Sequence, residues 1–492
     1  MALMTKEQYI ESIRAMKRSV YYMGKRVENT VDHPVLRPSM NCIIETYEMA
    51  QNPEYEDLMT AHSHLIGEKV NRFNHIDMDK EDLMKKVQMQ RLMGQRTGMC
   101  YQRCVTMDGA NALFSTTYDI DAKYGTHYHQ NFLEWFKTVQ HKDLYVCAGI
   151  TDPKGDRSKG PLDQADPDLF LHVVERREDG VVINGAKLHL TSCVNAHEIF
   201  VMPTMSLKPD CKDYAISCAI PMDAPGITLI IDHNSCDLRK LYSGKMDLGN
   251  AQYGGIEAVC VFDHVFVPNE RIFLNGETDF AGILVDRFAT YHRNSYGGCK
   301  PGTGDVLIGA CSLFSEYSGT EKAAHIKDKL IEMSHLNETL WACGVASSAA
   351  GHQMPAGNWM IDPMLANICK LNVTRYPYEI CHLAEEIAGG LLVTVPSQAD
   401  FENPETGDYL RKYLQGAKGV RAEDKVRALR LIESMTRGAG AVGYLTESMH
   451  GAGSPAAQKI NIARYANLAV KQGLAKRLAG IGQAVGEAPA GE

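Results

Sequence analysis

The sequence predicts an α+β protein in three parts: an N-terminal helical domain over 1–145, a middle β-barrel or sandwich domain over 146–278, and a C-terminal helical bundle over 279–492. Three observations lead there. Apolar residues recur at helical spacing before about residue 145, short β-branched runs fill the middle, and helical spacing returns near Ala281. A chain of 492 residues is about three times an ordinary domain of ~150. It can therefore bury a large core and still enclose a substrate cavity.

In the first part, Tyr9, Ile10, Ile13, Met16, Val20 and Tyr21 predict a helix over 7–23. A second long helical region is expected over 88–118, interrupted near Gly94 and Gly98. The middle part holds LYVCAGI, LHVVERREDGVVINGAKLHLTS, IFVMPT, YAISCAI, ITLIID and AVCVFDHVFV, with Glu178-Asp179-Gly180 as one turn signal. In the last part KVRALRLIESMT and residues 462–476 carry helical periodicity, and the small, polar tail GQAVGEAPAGE is expected to fray.

Composition narrows the function. Hydrophobic residues make up 45% and charged residues 23%, which excludes a disordered or fibrous chain. A net charge of −9 argues against a nucleic-acid partner. The N-terminus has no apolar secretory core, and no apolar run reaches the ~18 residues needed to cross a bilayer. A cytoplasmic location with no membrane partner is expected. There thiols stay reduced, so the 14 cysteines are read as core residues or ligands rather than disulfides.

One motif misleads. Gly438, Gly440 and Gly443 match G-x-G-x-x-G, but a helical pattern precedes them where a dinucleotide fold requires a strand. A glycine-rich break between helices is expected instead.

Two places carry ligand-like spacing. Cys100 and Cys104 form C-x₃-C in a helical region, which would turn both thiols to one side. On a helix, His292, Tyr296 and Cys299 also share a face, and Gly297-Gly298 leaves room for a bulky group against the backbone. Three Cys and one His suit either a tetrahedral zinc or an iron–sulfur cluster, and the spacing does not separate the two. Met107 stands where a radical-SAM motif needs its third Cys. The other eleven cysteines sit in apolar runs or isolated loops and read as core filler.

The strand region discriminates further. Ile150-Thr151-Asp152-Pro153-Lys154-Gly155-Asp156, then Lys187 to Thr191-Ser192, then Phe262 to Pro268 resemble the acyl-CoA dehydrogenase superfamily in order and spacing. TDPKGDRSK and AEEIAGGLLVTVPS are closer to the flavin-dependent 4-hydroxyphenylacetate 3-monooxygenases. MCYQRC, YHRNSYGGCK, GGIEAV and TESMHGAGSP resemble one branch beside them, the 4-hydroxybutyryl-CoA dehydratase/vinylacetyl-CoA Δ-isomerase family, over almost the whole chain.

That resemblance implies FAD beside a [4Fe–4S] cluster held by Cys100, Cys104, Cys299 and His292. It implies radical dehydration of 4-hydroxybutyryl-CoA to crotonyl-CoA, with isomerisation of vinylacetyl-CoA. The thioester acidifies the C2 proton but not the C3 proton, and the C4 hydroxyl is not β to the carbonyl, so ordinary enolate elimination fails. One-electron chemistry at the flavin acidifies C3, while an iron acts as Lewis acid on the leaving oxygen. His292 is then ligand and C2 base, Tyr296 a donor to the leaving oxygen, and Glu257 and Glu447 acid/base carboxylates. Lys300 and Gln102 flank ligands and position oxygen atoms. Thr151, Arg157, Thr191 and Ser192 fall in the flavin loops, Thr191 reaching N5, and Gly389-Gly390 in a part shared between subunits of a homotetramer that binds an acyl-CoA. An FAD-dependent aromatic hydroxylase and a zinc-stabilised, non-catalytic helical module are the alternatives.

Overall fold

The computed structural model describes residues 3–481; the tail expected to fray, 482–492, lies outside the described residues. Helices, then mainly strands, then helices follow one another along the chain. No helix among the described residues is long and apolar enough to cross a membrane.

The first helix is shorter than its periodicity suggests. Thr5 and Gln8 close a capping box on Lys6–Ala15, and Met16 is already extended. Ser19–Tyr22 is instead a strand, with Val20 and Tyr22 buried and Tyr21 exposed, the period of two expected of a pleat. Val20 and Tyr21 fit both periods, and a long-range partner decides between them. Strand Ser19–Tyr22 pairs in parallel with Ile227–Ile231. The N-terminal segment thus enters the six-stranded sheet, whose order is Lys25–Arg26, Ser19–Tyr22, Ile227–Ile231, Ala258–Pro268, Gly180–Lys187, His172–Arg176. A four-stranded sheet runs Ile272–Asn275, Ile216–Pro221, Glu198–Val201, Val146–Gly149. Residues of both sheets and of the first helices share one core, including Tyr9, Ile13, Val20, Ile199, Ile220, Leu229 and Phe262.

Three helices set the geometry of the site. Lys80–Thr97 is capped by Asp79, which accepts from the Asp82 amide, and ends at Gly98 with φ 59°. Cys104–Tyr124 follows, and Thr278–Tyr317 is a 40-residue helix, ~60 Å long at ~1.5 Å per residue. The expected break near Gly98 is there, but Gly94 is not a break. It is a point of contact, because a Cβ at Gly94 would stand 2.6 Å from the Cys299 carbonyl oxygen. A Cβ at Gly298 would lie 2.5 Å from the Val87 carbonyl oxygen, and one at Gly302 2.1 Å from that of Arg91. Gly297 meets the Gly344 Cα of the Ala324–Ala349 helix at 2.5 Å from its would-be Cβ. The space expected beside Gly297-Gly298 is therefore filled by neighbouring helix backbones, not by a bulky ligand.

The link between the first two of these helices is fixed by a buried charge. Arg103 donates through Nη2 to Asp143 Oδ1, both side chains being essentially inaccessible, and its guanidinium lies 4.2 Å from the Tyr47 ring centroid. Asp143 also accepts from Asn74 Nδ2 at 2.9 Å and from the Met4 amide at 3.2 Å. Removing one member of such a pair leaves a buried charge without its counter-ion, at a cost of about 3–5 kcal/mol. Arg103→Leu is expected to lower the unfolding free energy by that order and the denaturant midpoint with it, and the double change with Asp143→Asn to recover part of the loss. A midpoint for Arg103→Leu within error of the unaltered protein would contradict this.

Candidate active site

The helices Cys104–Tyr124 and Thr278–Tyr317, the strand loops and the segment 442–465 line a cavity of about 1730 Å³, larger than the ~300–1,000 Å³ of an ordinary small-molecule pocket. Its wall carries Cys100, Gln102, Cys104, Thr151, Arg157, Thr191, Glu257, His292, Tyr296, Cys299, Lys300 and Glu447. Twelve of the residues singled out in the sequence thus converge on one space, from segments up to 347 positions apart. Three do not join them. Ser192 is fully buried and its hydroxyl is held by Asn195 Nδ2 at 2.7 Å beside Ser39. Gly389 and Gly390 end the Tyr376–Ala388 helix, exposed, with open space where a side chain would be.

Cys100 and Cys104 do not share a helix face. Gly98 ends the preceding helix, Gln102 adopts φ 65°, and the next helix begins only at Cys104. The two thiols reach the cavity because the loop turns them there. A left-handed conformation disfavours a residue with a Cβ, and it recurs around this cavity at His189 (φ 57°) and Ala452 (φ 53°). Such strain persists where surrounding packing imposes it.

His292, Tyr296 and Cys299 do lie along one helix, Thr278–Tyr317, as their spacing requires. His292 Nδ1 donates to Asp108 Oδ2 at 2.8 Å, which leaves Nε2 with its lone pair free to bind. Tyr296 stands edge-on to the His292 ring, with centroids 5.1 Å apart. Cys104 and Cys299 sit among Met89, Met93, Met99, Met107, Tyr101 and Leu340. Burial pushes the Cys100 and Cys104 thiols well above their ordinary value and Cys299 up to about 11, while Lys300 nearby pulls the other way. Thiols so reluctant to ionise become thiolates only against a bound cation. The Gln102 amide is buried, and neither its nitrogen nor its oxygen has a hydrogen-bond partner. A soft three-thiol, one-imidazole donor set with an open polar group beside it fits a metal or cluster better than it fits plain core packing.

Acid lines the cavity close to these cysteines. Thr191 Oγ1 donates to Glu257 Oε1 at 2.6 Å. Burial, and then the neighbouring Glu447 charge, push the Glu257 carboxyl well above the usual carboxylate range. Glu447 lies 3.6 Å from the Lys300 ammonium. Its segment is a π-helical turn, Val442–Thr446, running into Glu447–His450, so the glycine-rich stretch is a break in the helical chain as expected. Two buried lysines hold it: Lys300 donates to the Gly443 carbonyl and Lys370 donates to the Ser448 carbonyl at 2.6 Å. Their ammonium groups lie 5.1 and 4.8 Å from the Tyr296 ring centroid. Burial, with Lys300 and Arg293 adding to it, lowers Lys370 to about 7.

Comparison with known proteins places this arrangement. Residues 5–274 match the family model described as 4-hydroxyphenylacetate 3-hydroxylase N terminal, and residues 281–480 match its C-terminal counterpart. The 4-hydroxyphenylacetate 3-monooxygenase oxygenase component of Thermus thermophilus is 26% identical over 88% of each chain. A 4-hydroxybutyryl-CoA dehydratase/vinylacetyl-CoA-Δ-isomerase of Clostridium aminobutyricum is 57% identical over 97% of this chain and all of its own length. The chain belongs to the 4-hydroxybutyryl-CoA dehydratase/vinylacetyl-CoA Δ-isomerase family. A solved structure described as an oxygen-tolerant archaeal 4-hydroxybutyryl-CoA dehydratase from N. maritimus superimposes with a TM-score of 0.96 at 53% identity, covering all of this chain and 97% of that one. The FAD-bound oxygenase component of 4-hydroxyphenylacetate 3-monooxygenase superimposes at 0.85 with 22% identity and shares the fold.

Within this dehydratase-family chain, sequence reasoning missed Asp108, Lys86 and Lys370. Asp108 lies one helical turn after Cys104 and could have been noticed on that spacing. Lys86 and Lys370 stand in helices without a motif, and only the packing brings them in.

Glu257 gives a pH test. Its carboxyl is neutral in the folded chain well above ~4.3, the ordinary value for an unfolded Glu. The folded state therefore binds the proton more tightly, and stability falls as pH rises from ~4.3 through the folded-state value. Glu257→Gln keeps the acceptor for Thr191 and cannot ionise. Thermal midpoints read between roughly pH 5 and 9 are expected to fall less steeply in Glu257→Gln than in the unaltered protein. Parallel curves would contradict the neutral Glu257.

Proposed function

We propose that this protein dehydrates 4-hydroxybutyryl-CoA to crotonyl-CoA and isomerises vinylacetyl-CoA to crotonyl-CoA, as a lyase and isomerase of the cytoplasm. The observation that carries the reading is one cavity lined by Cys100, Cys104, Cys299 and His292 together with the carboxyl pair Glu257 and Glu447. The 57% identical relative bears the name of that activity over its full length. When bound, FAD would supply reversible one-electron chemistry and a [4Fe–4S] cluster a Lewis-acidic iron.

The three cysteines and His292 Nε2 would hold the cluster. Released from the cluster, His292 would also be the base for the C2 proton: with Nδ1 engaged by Asp108, the imidazole accepts at Nε2 alone. Tyr296 donates its hydroxyl proton toward the substrate oxygen. Its hydroxyl now contacts the Glu447 carbonyl at 3.4 Å, a long bond that it can exchange for a stronger acceptor. The neutral Glu257 is the acid of the carboxyl pair and Glu447 its conjugate partner, with Lys300 beside Glu447 balancing the charge. Gln102 offers an unused amide to a substrate oxygen.

Thr151 and Arg157, on the loop after strand Val146–Gly149, and Thr191 are suited to the flavin. The loop is tied down by the buried Lys187–Asp152 ion pair, 2.7 Å apart, while Lys187 also donates to the Ile150 and Met202 carbonyls. Exposed Gly389 and Gly390, with room around both, suit a contact completed by another subunit of a homotetramer. The aromatic-hydroxylase alternative has no use for the Cys/His set.

Protein purified without oxygen is expected to be brown, to carry flavin, and to contain about four irons with matching acid-labile sulfide per chain. It is expected to convert 4-hydroxybutyryl-CoA to crotonyl-CoA. His292→Cys or His292→Glu is expected to retain much of the iron and lose the dehydration. About one zinc per chain without sulfide, or full activity in the His292 variants, would overturn the reading.

A further inference from the structure

Asp108 has no exposed surface, yet it is a carboxylate, and it lies behind His292 and Ser295, which line the cavity. Three helices serve it. Lys86 Nζ, from Lys80–Thr97, lies 2.7 Å from Oδ1. His292 Nδ1 and Ser295 Oγ, from Thr278–Tyr317, donate at 2.8 Å to Oδ2 and at 3.0 and 3.1 Å to the two oxygens. Ser295 is itself oriented by Gln90 Nε2 at 2.8 Å. Asp108 sits four residues after Cys104, so one helix face offers a thiol and, a turn later, this carboxylate. Cys104 Sγ, an Asp108 oxygen and a His292 nitrogen all lie within 4.8 Å of one another.

That closeness has two readings, a third ligand or a partner for the histidine. A carboxylate offers about four lone-pair sites. Those of Asp108 face three donors, Lys86, His292 and a hydroxyl shared between both oxygens, which occupy most of them. Lys86 has no surface exposure and supplies the counter-charge. An acceptor that is already largely occupied and neutralised serves the imidazole rather than a metal.

The geometry points to Asp108 as a positioning residue: its ionised carboxylate, fixed by Lys86 and Ser295, keeps His292 in the Nδ1–H form with Nε2 turned to the cavity. Such a carboxylate fixes both tautomer and ring orientation of a ligand histidine, and losing it typically costs 10–100-fold in metal affinity or activity. The same orientation would serve the proton step once Nε2 is released from the cluster: the substrate C2–H bond breaks, the N–H bond forms on the freed Nε2 lone pair, and the electron pair stays on the substrate while Nδ1–H stays donated to Asp108. This inference rests on His292 being a ligand.

The test compares two charge-free pairs in the holoenzyme purified without oxygen. Lys86→Met with Asp108→Asn keeps an acceptor for Nδ1–H, whereas Lys86→Met with Asp108→Leu fills similar space without one. The readouts are the ¹⁵N-histidine coupling in pulsed EPR of the reduced cluster and the rate at which ferricyanide removes one iron. The Asn pair is expected to stay near the unaltered protein, and the Leu pair to change the coupling and lose iron at least ~10-fold faster. Equal behaviour of the two pairs would overturn the role of Asp108 while leaving the cluster reading intact. No histidine coupling in the unaltered protein would overturn both. Should the Leu pair not fold, histidine labelled at one ring nitrogen decides without any variant: strong coupling from Nε2 supports the assignment, and strong coupling from Nδ1 overturns it.

Discussion

Everything at this site depends on how closely two helices can approach. Gly94 of one helix and Gly298 and Gly302 of the other lie where no Cβ fits, so the Lys80–Thr97 and Thr278–Tyr317 backbones touch. With any side chain at Gly298 or Gly302, a partner carbonyl oxygen within 2.5 Å of the would-be Cβ would have to move. That contact brings His292 and Cys299 within reach of the loop bearing Cys100 and the helix bearing Cys104. It also brings Lys86 to Asp108, and Gln90 to Ser295. The position of the ligands is thus a consequence of backbone contact, and the polar network is laid over it.

Buried charges then fix the pieces that glycine leaves free. Arg103 with Asp143 pins the turn between Cys100 and Cys104. Lys187 with Asp152 pins the loop after strand Val146–Gly149, and Lys86 with Asp108 orients His292. Lys300 and Lys370 clamp the Glu447 segment. Buried ion pairs are poor sources of net stability, since desolvation offsets most of the attraction. Their recurrence behind the residues that line one cavity is better explained by the geometry they impose.

The order of helices and strands was legible because periods of 3.6 and 2 are local properties. What escaped was non-local. Ser19–Tyr22 read as helix because Val20 and Tyr21 satisfy both periods, and its partner strand lies some 200 residues away. Gly297-Gly298 read as room for a ligand because a sequence cannot say what fills a groove. The Cys100–Cys104 pair lines the cavity, but not through the helix face expected, since Gly98 and Gln102 turn the chain before the helix begins. Residues within motifs could be singled out, and most of them line the cavity. Lys86 and Lys370 stand outside any motif, and Asp108 offered only its spacing from Cys104.

The central claim is that Cys100, Cys104, Cys299 and His292 hold one iron–sulfur cluster. Anomalous scattering at the iron edge, from crystals grown without oxygen, tests it most directly. The account predicts one strong iron peak of cubane size enclosed by those four side chains, with density joining it to His292 Nε2. A peak at the zinc edge alone, or iron bound elsewhere with His292 turned away, would contradict it.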